Sequence, residues 1–216
     1  MVDPELALSC PSDITAACGM DAFTQLLESF VSVKESPLTD TLAWSGMERM
    51  KDALVPAAGE GSHSLEIRAD MAYGALISGI TLANAGLGVI HGLASAIGGR
   101  HPIPHGVVCG VLLEPATRIT ILRLRENEQK GDPSLGKYAR VGHLLAGGRP
   151  DDIEQGCDLL LERLDSWNNA LKLPGLNDYG INSGDIPAIA AIAGNGNNPG
   201  KLNPDDIAMI LKTVIH

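Results

Sequence analysis

Two histidines, His91 and His105, are carried by a glycine- and proline-punctuated segment that runs from Gly86 to Gly106 between apolar stretches. Imidazoles placed by a rigid turn have the character of metal ligands, because the backbone fixes where each ring points. Far upstream, Gly19-Met-Asp21-Ala-Phe-Thr-Gln25 sets a carboxylate one helical turn before an amide. On a helix Asp21 and Gln25 share a face, so their oxygens can meet at one ion. The result is an Asp/Gln/His/His constellation. A carboxylate with two imidazoles suits Fe2+ or Zn2+ with a position left open for water or a substrate oxygen, which such an ion polarises as a Lewis acid. Spacing alone leaves other uses open. A histidine in an apolar stretch is commonly a hydrogen-bonded core residue, and Asp21 serves equally well as a helix cap.

The elements that must hold these residues read as helices. Helical spacing recurs along the chain, and no segment alternates apolar and polar residues in the manner of a strand. Ser12 or Asp13 is expected to cap a first element that leads into Met20–Val33, and Ser36-Pro37 is expected to stop it before a helix over Asp40–Leu54. Leu65–Leu87 follows, rich in small residues (Gly74, Ala75, Ser78, Gly79, Ala83, Ala85) that would admit a neighbouring backbone. Gly86 and Gly88 loosen that helix just before His91. Gly98-Gly99, Pro102 and Pro104 end the next element, and Pro104 suits the first turn of a helix over His105–Leu124. Beyond Glu126 a polar loop is expected as far as Asp132-Pro133. Helices then follow over Tyr138–Ala146, Pro150–Leu171, Asp185–Ala193 and Asp205–Ile215, the last two separated by the Gly/Asn-rich loop Gly194–Asn203.

Composition agrees with an all-α, multi-helix bundle forming a single domain over 1–216. Apolar residues make up 44% of the 216 but aromatics only 3%, which points to Leu, Ile, Ala and Val packed helix to helix. The net charge of −10 argues against a nucleic-acid partner, which needs clustered Lys and Arg. Cys10, Cys18, Cys109 and Cys157 form no C-x-x-C pair and are expected as reduced, buried thiols of a cytoplasmic protein. No basic segment followed by an apolar run opens the chain, so no signal peptide is expected. The apolar run Ala75–Val89, broken by glycines, reads as a buried helix before a membrane span.

Ordered blocks along the chain carry a family resemblance: Val2-Asp-Pro-Glu-Leu6, Ile14-Thr-Ala-Ala-Cys-Gly-Met-Asp21-Ala22, Ser36-Pro-Leu-Thr-Asp40, Gly86-Leu-Gly-Val-Ile-His91-Gly92, Ile103-Pro-His105-Gly106, Lys137-Tyr-Ala139, Leu173-Pro174 and Asn198-Pro199. The chain resembles the C-terminal helical domain of the iron-containing (group III) alcohol dehydrogenases. The resemblance implies that Asp21, His91 and His105 take the places of three metal ligands. Two positions depart from it. The family's iron-binding members usually carry histidine where this chain has Gln25, and a second histidine where it has Ser95. The glycerol dehydrogenase branch resembles the reduced Asp/His/His set and uses zinc, so the resemblance implies a divalent metal, Fe2+ or Zn2+.

In that family an N-terminal α/β domain with a glycine-rich turn seats the dinucleotide, and no G-x-G-x-x-G after a strand is found here. The nucleotide-binding domain is therefore expected to be absent from this chain, and NAD(P) to bind only with a partner domain or chain. The leading expectation is the metal-binding half of an NAD(P)-dependent enzyme that interconverts small alcohols and aldehydes, with Ser95 or His101 relaying the hydroxyl proton. His101 reads equally as a loop residue. The alternative is a non-catalytic relic domain acting as a binding or oligomerisation module, with an exposed apolar wall. A homo-oligomer is expected on either reading. A metal-dependent lyase or hydrolase is the weakest candidate, since no general base stands beside the ligands.

Overall fold

The computed structural model describes residues 1–126, 133–149 and 151–215. Among them there is no strand, and the helices are α1 (Ser12–Val31), α2 (Pro37–Ala57), α3 (Leu65–Ala85), α4 (Val89–Gly98), α5 (His105–Glu126), α6 (Pro133–Ala146), α7 (Ile153–Leu171), α8 (Ile186–Ile192) and α9 (Pro204–Val214), with short 3-10 turns at Pro4–Ala7, Leu176–Tyr179 and Ser183–Asp185. The all-α expectation holds. Of the loop expected after Glu126, all but Pro133, the first residue of α6, lies outside the described residues, as does the helix start expected at Pro150.

Local chemistry sets the helix ends. Ser36 opens α2 with a reciprocal cap: its Oγ accepts from Thr39 N at 3.2 Å, and Ser36 N donates to Thr39 Oγ1 at 2.8 Å. The helix therefore starts at Pro37, before the expected Asp40. At α1 the expected cap is not made. Pro11 is the N-cap without a side-chain hydrogen bond, and Ser12 Oγ donates instead to the Ala58 carbonyl at the end of α2. A tertiary acceptor has displaced the local one. The α1 helix then runs unbroken through Gly19 and packs on α2, α3 and α5. Its buried residues Met20, Phe23, Leu26, Leu27 and Phe30 make it the middle of the core. α6 and α7 form a hairpin against it, and α8 with α9 closes the end beside α4 and α5.

The bend before His91 is built by glycine and asparagine. Gly86 ends α3 at φ 71, a backbone that L side chains rarely adopt, and a Cβ there would sit 2.2 Å from Asn197 Nδ2. Ser32 Oγ donates to the Ala85 carbonyl at 2.7 Å, Asn197 N donates to Leu87 O at 2.8 Å, and Val33 N donates to Asn197 O at 3.0 Å. Loop 194–203 thus stitches the end of α1 to the α3–α4 bend. The chain turns by 100° there, and no single described helix is long and apolar enough to cross a membrane.

Two sequence expectations need correction. Cys109 and Cys157 are buried, but Cys18 is exposed and Cys10 is intermediate; Cys18 lies on the α1 face that lines an open cleft. On α3, Gly74, Ser78 and Ala85 are buried, whereas Ala75, Gly79 and Ala83 face outward, because the helix packs by one face only.

Lys137 of α6 ties the far end of α1 to α2. Its Nζ donates to Phe30 O at 2.7 Å and pairs with Asp40 at 2.7 Å and with Glu35. The ammonium also lies 4.9 Å from the Phe30 ring centre. Lys137→Met leaves two carboxylates facing one another and is expected to cost about 2 kcal/mol, read as a lower urea midpoint at unchanged slope.

Candidate metal centre

Three helices deliver the central residues. Asp21 lies midway along α1, His91 in the first turn of α4 and His105 at the start of α5. α5 comes unusually close to α1: a Cβ on Gly106 would stand 2.3 Å from the Ala17 carbonyl oxygen, one turn before Asp21. Only glycine allows that approach, which sets His105 beside the carboxylate. Asp21 Oδ1 is 3.2 Å from His91 Nε2 and 3.6 Å from His105 Nε2. The two rings stand 5.3 Å apart, tilted by 49°.

Two residues that sequence reasoning missed complete the arrangement. Glu28, 4% exposed, accepts the Ile90 N–H on Oε1 at 2.7 Å and contacts His91 Nδ1 through Oε2 at 2.6 Å. Nδ1–H donates to the Glu28 carboxylate in that contact, which turns Nε2 toward Asp21. Cys109, one turn after His105, is buried with Sγ 3.4 Å from His105 Nε2 and 3.8 Å from His91 Nε2. Asp21, His91, His105 and Cys109 each place one donor atom within 4.8 Å of the others. Spacing held the signal for both: Glu28 follows Asp21 by seven residues and Cys109 follows His105 by four, each on the same helix face.

Gln25 stands directly behind Asp21 rather than among these donors. Its Nε2 donates to Asp21 Oδ2 at 3.0 Å, and its Oε1 accepts from Ser78 Oγ at 2.8 Å. Both ends of the amide are engaged. Ser95 is exposed one turn beyond His91. His101, in the α4–α5 connection, has its Nε2 3.9 Å from Asp185 Oδ1 and without a hydrogen bond among the described residues.

The electrostatics are those of a cation site. Burial disfavours an imidazolium at His91, but hydrogen bonds to Asp21, Cys109 and Glu28, with the Glu28 charge, push it up to about 12. Burial likewise disfavours a charged Asp21, yet the His91 hydrogen bond and the charges of His105 and His91 hold its carboxyl below the usual value. Positive charge is thus favoured at this point, as holding a cation requires. A cleft of about 420 Å3 reaches the same place, lined by Cys18, Asp21, His105, Leu173, Pro174 and Tyr179. One carboxylate and two neutral imidazoles within reach of one point are donors that fit a first-row divalent metal.

Fold and centre together define a class: an all-helical unit whose separate helices converge carboxylate and imidazole donors beside an apolar cleft. The family described as Fe-containing alcohol dehydrogenase, C-terminal, matches residues 15–215, and the chain belongs to it. It is 32% identical over 217 residues to a 1,3-propanediol dehydrogenase of Citrobacter freundii, covering 97% of this chain and 53% of that protein. An NADPH-dependent butanol dehydrogenase of Clostridium saccharobutylicum is 31% identical over 227 residues, covering 100% of this chain and 54% of the relative. The crystal structure of a 1,3-propanediol oxidoreductase superposes with a TM-score of 0.87 at 30% identity, over 99% of this chain and 55% of that one. The chain therefore spans about half the length of the relatives it matches.

Glu28→Gln keeps the side-chain volume and removes the charge behind His91. Zinc affinity is expected to fall roughly 10–100-fold, measured by competition with a chelating dye; an unchanged affinity would detach Glu28 from the centre.

Proposed function

We propose that this chain supplies the metal-holding half of an NAD(P)-dependent alcohol dehydrogenase acting on small alcohols or aldehydes. The observation that carries the reading is the convergence of Asp21, His91 and His105, from three helices, on one point at the edge of an apolar cleft. Its support from relatives is their naming as propanediol and butanol dehydrogenases. The ion is Fe2+ or Zn2+, and the dinucleotide is held by a nucleotide-binding segment of the same or a partner polypeptide.

When bound, the divalent ion supplies Lewis-acid polarisation of the alcohol or aldehyde oxygen. The residues of this chain do the rest. Asp21, His91 and His105 hold the ion. Glu28 fixes the His91 ring by its Nδ1 contact, and Gln25 with Ser78 fixes the Asp21 carboxylate. Leu173, Pro174 and Tyr179 give the alkyl part of the substrate an apolar wall that excludes water from the reacting carbon. Ser95, exposed on the helix that carries His91, is the candidate relay for the hydroxyl proton; the His101 Nε2 lies 3.9 Å from Asp185 Oδ1.

One observation favours a second reading, a helical module that serves association. On α3, Tyr73, Leu76 and Ile80 recur at steps of three and four on an outward face, with 37%, 47% and 40% of their surface exposed. Such a face suits a second copy of the chain or the companion segment.

Metal analysis of the purified chain after incubation with Fe2+ or Zn2+ separates the two. About one tightly held ion per chain, lost in Asp21→Ala and in His105→Ala, supports the enzyme reading. Equal metal content in wild type and both variants removes the ligand assignment. An oligomer without metal affinity favours the association module.

A further inference from the structure

The centre contains one donor that an Asp/His/His site does not use. Cys109 is fully buried, yet its Sγ does not merely fill core space: it lies 3.4 Å from His105 Nε2 and 3.8 Å from His91 Nε2. On the other side Asp21 Oδ1 is 3.2 Å and 3.6 Å from the same two nitrogens. An ion held at about 2.0–2.1 Å from nitrogen and oxygen and about 2.3 Å from sulfur, in a tetrahedron, spaces neighbouring donors about 3.3–3.6 Å apart. The four separations fall close to those edges. The thiol and the carboxylate thus both touch the same two ring nitrogens, from opposite sides of one point.

Gln25 does not compete for the fourth vertex. Its oxygen accepts from Ser78 and its nitrogen donates to Asp21, so turning it to face an ion would break both bonds. Cys109, by contrast, is delivered by the same helix as His105, one turn further on, and α5 is pinned at its N-terminus by the Gly106–Ala17 approach. Its position is therefore set by the same backbone constraint that sets His105.

We propose that Cys109 is the fourth protein donor to the ion that Asp21, His91 and His105 hold, giving an Asp/His/His/Cys site that prefers zinc to iron and takes the substrate oxygen by expanding to five donors. The inference rests on the reading of that trio as ligands. Sulfur ligation favours the more thiophilic ion, and the thiol binds as thiolate, its proton passing to solvent.

Cobalt(II) is the probe, because a cobalt–thiolate bond gives an intense near-ultraviolet charge-transfer band that oxygen and nitrogen ligands do not. The full chain loaded with one equivalent of cobalt should show that band, and zinc should bleach it on displacement. Cys109→Ser should bind cobalt without the band and lose zinc affinity by more than the roughly 10–100-fold expected for an outer partner. Cys157→Ser, altering a buried thiol whose Sγ is turned to the Leu135 carbonyl, should leave the band intact. If Cys109→Ser does not give the wild-type circular dichroism, the wild-type spectrum decides. Stoichiometric cobalt uptake by wild type without the band overturns the role of Cys109 and leaves the trio standing. A band that persists in folded Cys109→Ser also overturns it. Absence of any cobalt or zinc uptake overturns both this inference and the proposed function.

Discussion

A carboxylate with 4% of its surface exposed needs partners or its burial is prohibitively costly, and Glu28 finds them 62 and 63 residues away, at the start of α4. Its two oxygens take the Ile90 backbone N–H, one of the first-turn donors that a helix leaves unsatisfied, and the ring of His91, the inner of the two imidazoles. A negative charge at a helix N-terminus is favourable in itself. The same interaction therefore anchors α4 to α1, selects the His91 tautomer and aims Nε2 at Asp21. Together with the Ser32 and Asn197 contacts that hold the glycine-rich bend at 86–88, it fixes the position of His91.

The remaining donors are held by backbone proximity. Gly106 lets α5 lie against α1 where any side chain would collide with Ala17 O, and this brings both His105 and Cys109 to the Asp21 side of the bundle. Asp21 in turn is held by Gln25, whose far end is fixed by Ser78 of α3. Four helices, α1, α3, α4 and α5, thus have a part in the position of one carboxylate and two rings. Each contact holds a candidate donor in place without help from an ion, so little ordering would be left to offset if one bound.

Helical content, the glycine- and proline-marked stops and the long helices were legible from periodicity, and the meeting of Asp21, His91 and His105 in space was legible from ordered blocks that resemble a known family. What escaped was set by tertiary partners. Ser12 looks like a cap, but the Ala58 carbonyl takes its hydroxyl. Glu28 looks like a solvated surface residue because its partners lie more than sixty positions away in sequence; only its seven-residue offset from Asp21 hints otherwise. Cys109 stands in Val107-Val-Cys-Gly-Val111, where only its four-residue offset from His105 sets it apart from a small apolar side chain before α5 is placed against α1. Cys18 failed as a buried thiol for the opposite reason, since its side of α1 borders a cleft rather than another helix.

Burial across the centre is graded, and the gradient gives it a direction. Glu28 and Cys109 are buried, His91 keeps 11% of its side chain exposed, Asp21 24% and His105 50%. The inner side is closed by α1, α4 and α5, and the outer side opens onto the cleft bounded by Leu173, Pro174 and Tyr179. A molecule that approaches an ion held here meets Asp21 and His105 first, with apolar surface beside them and a fixed, water-poor wall behind. Polar groups convergent at the edge of a preformed apolar hollow are the general pattern of small-molecule sites. In this chain the pattern follows from two local facts, the buried Glu28 that fixes the inner ring and the side-chain-free Gly106 that lets the outer one come alongside.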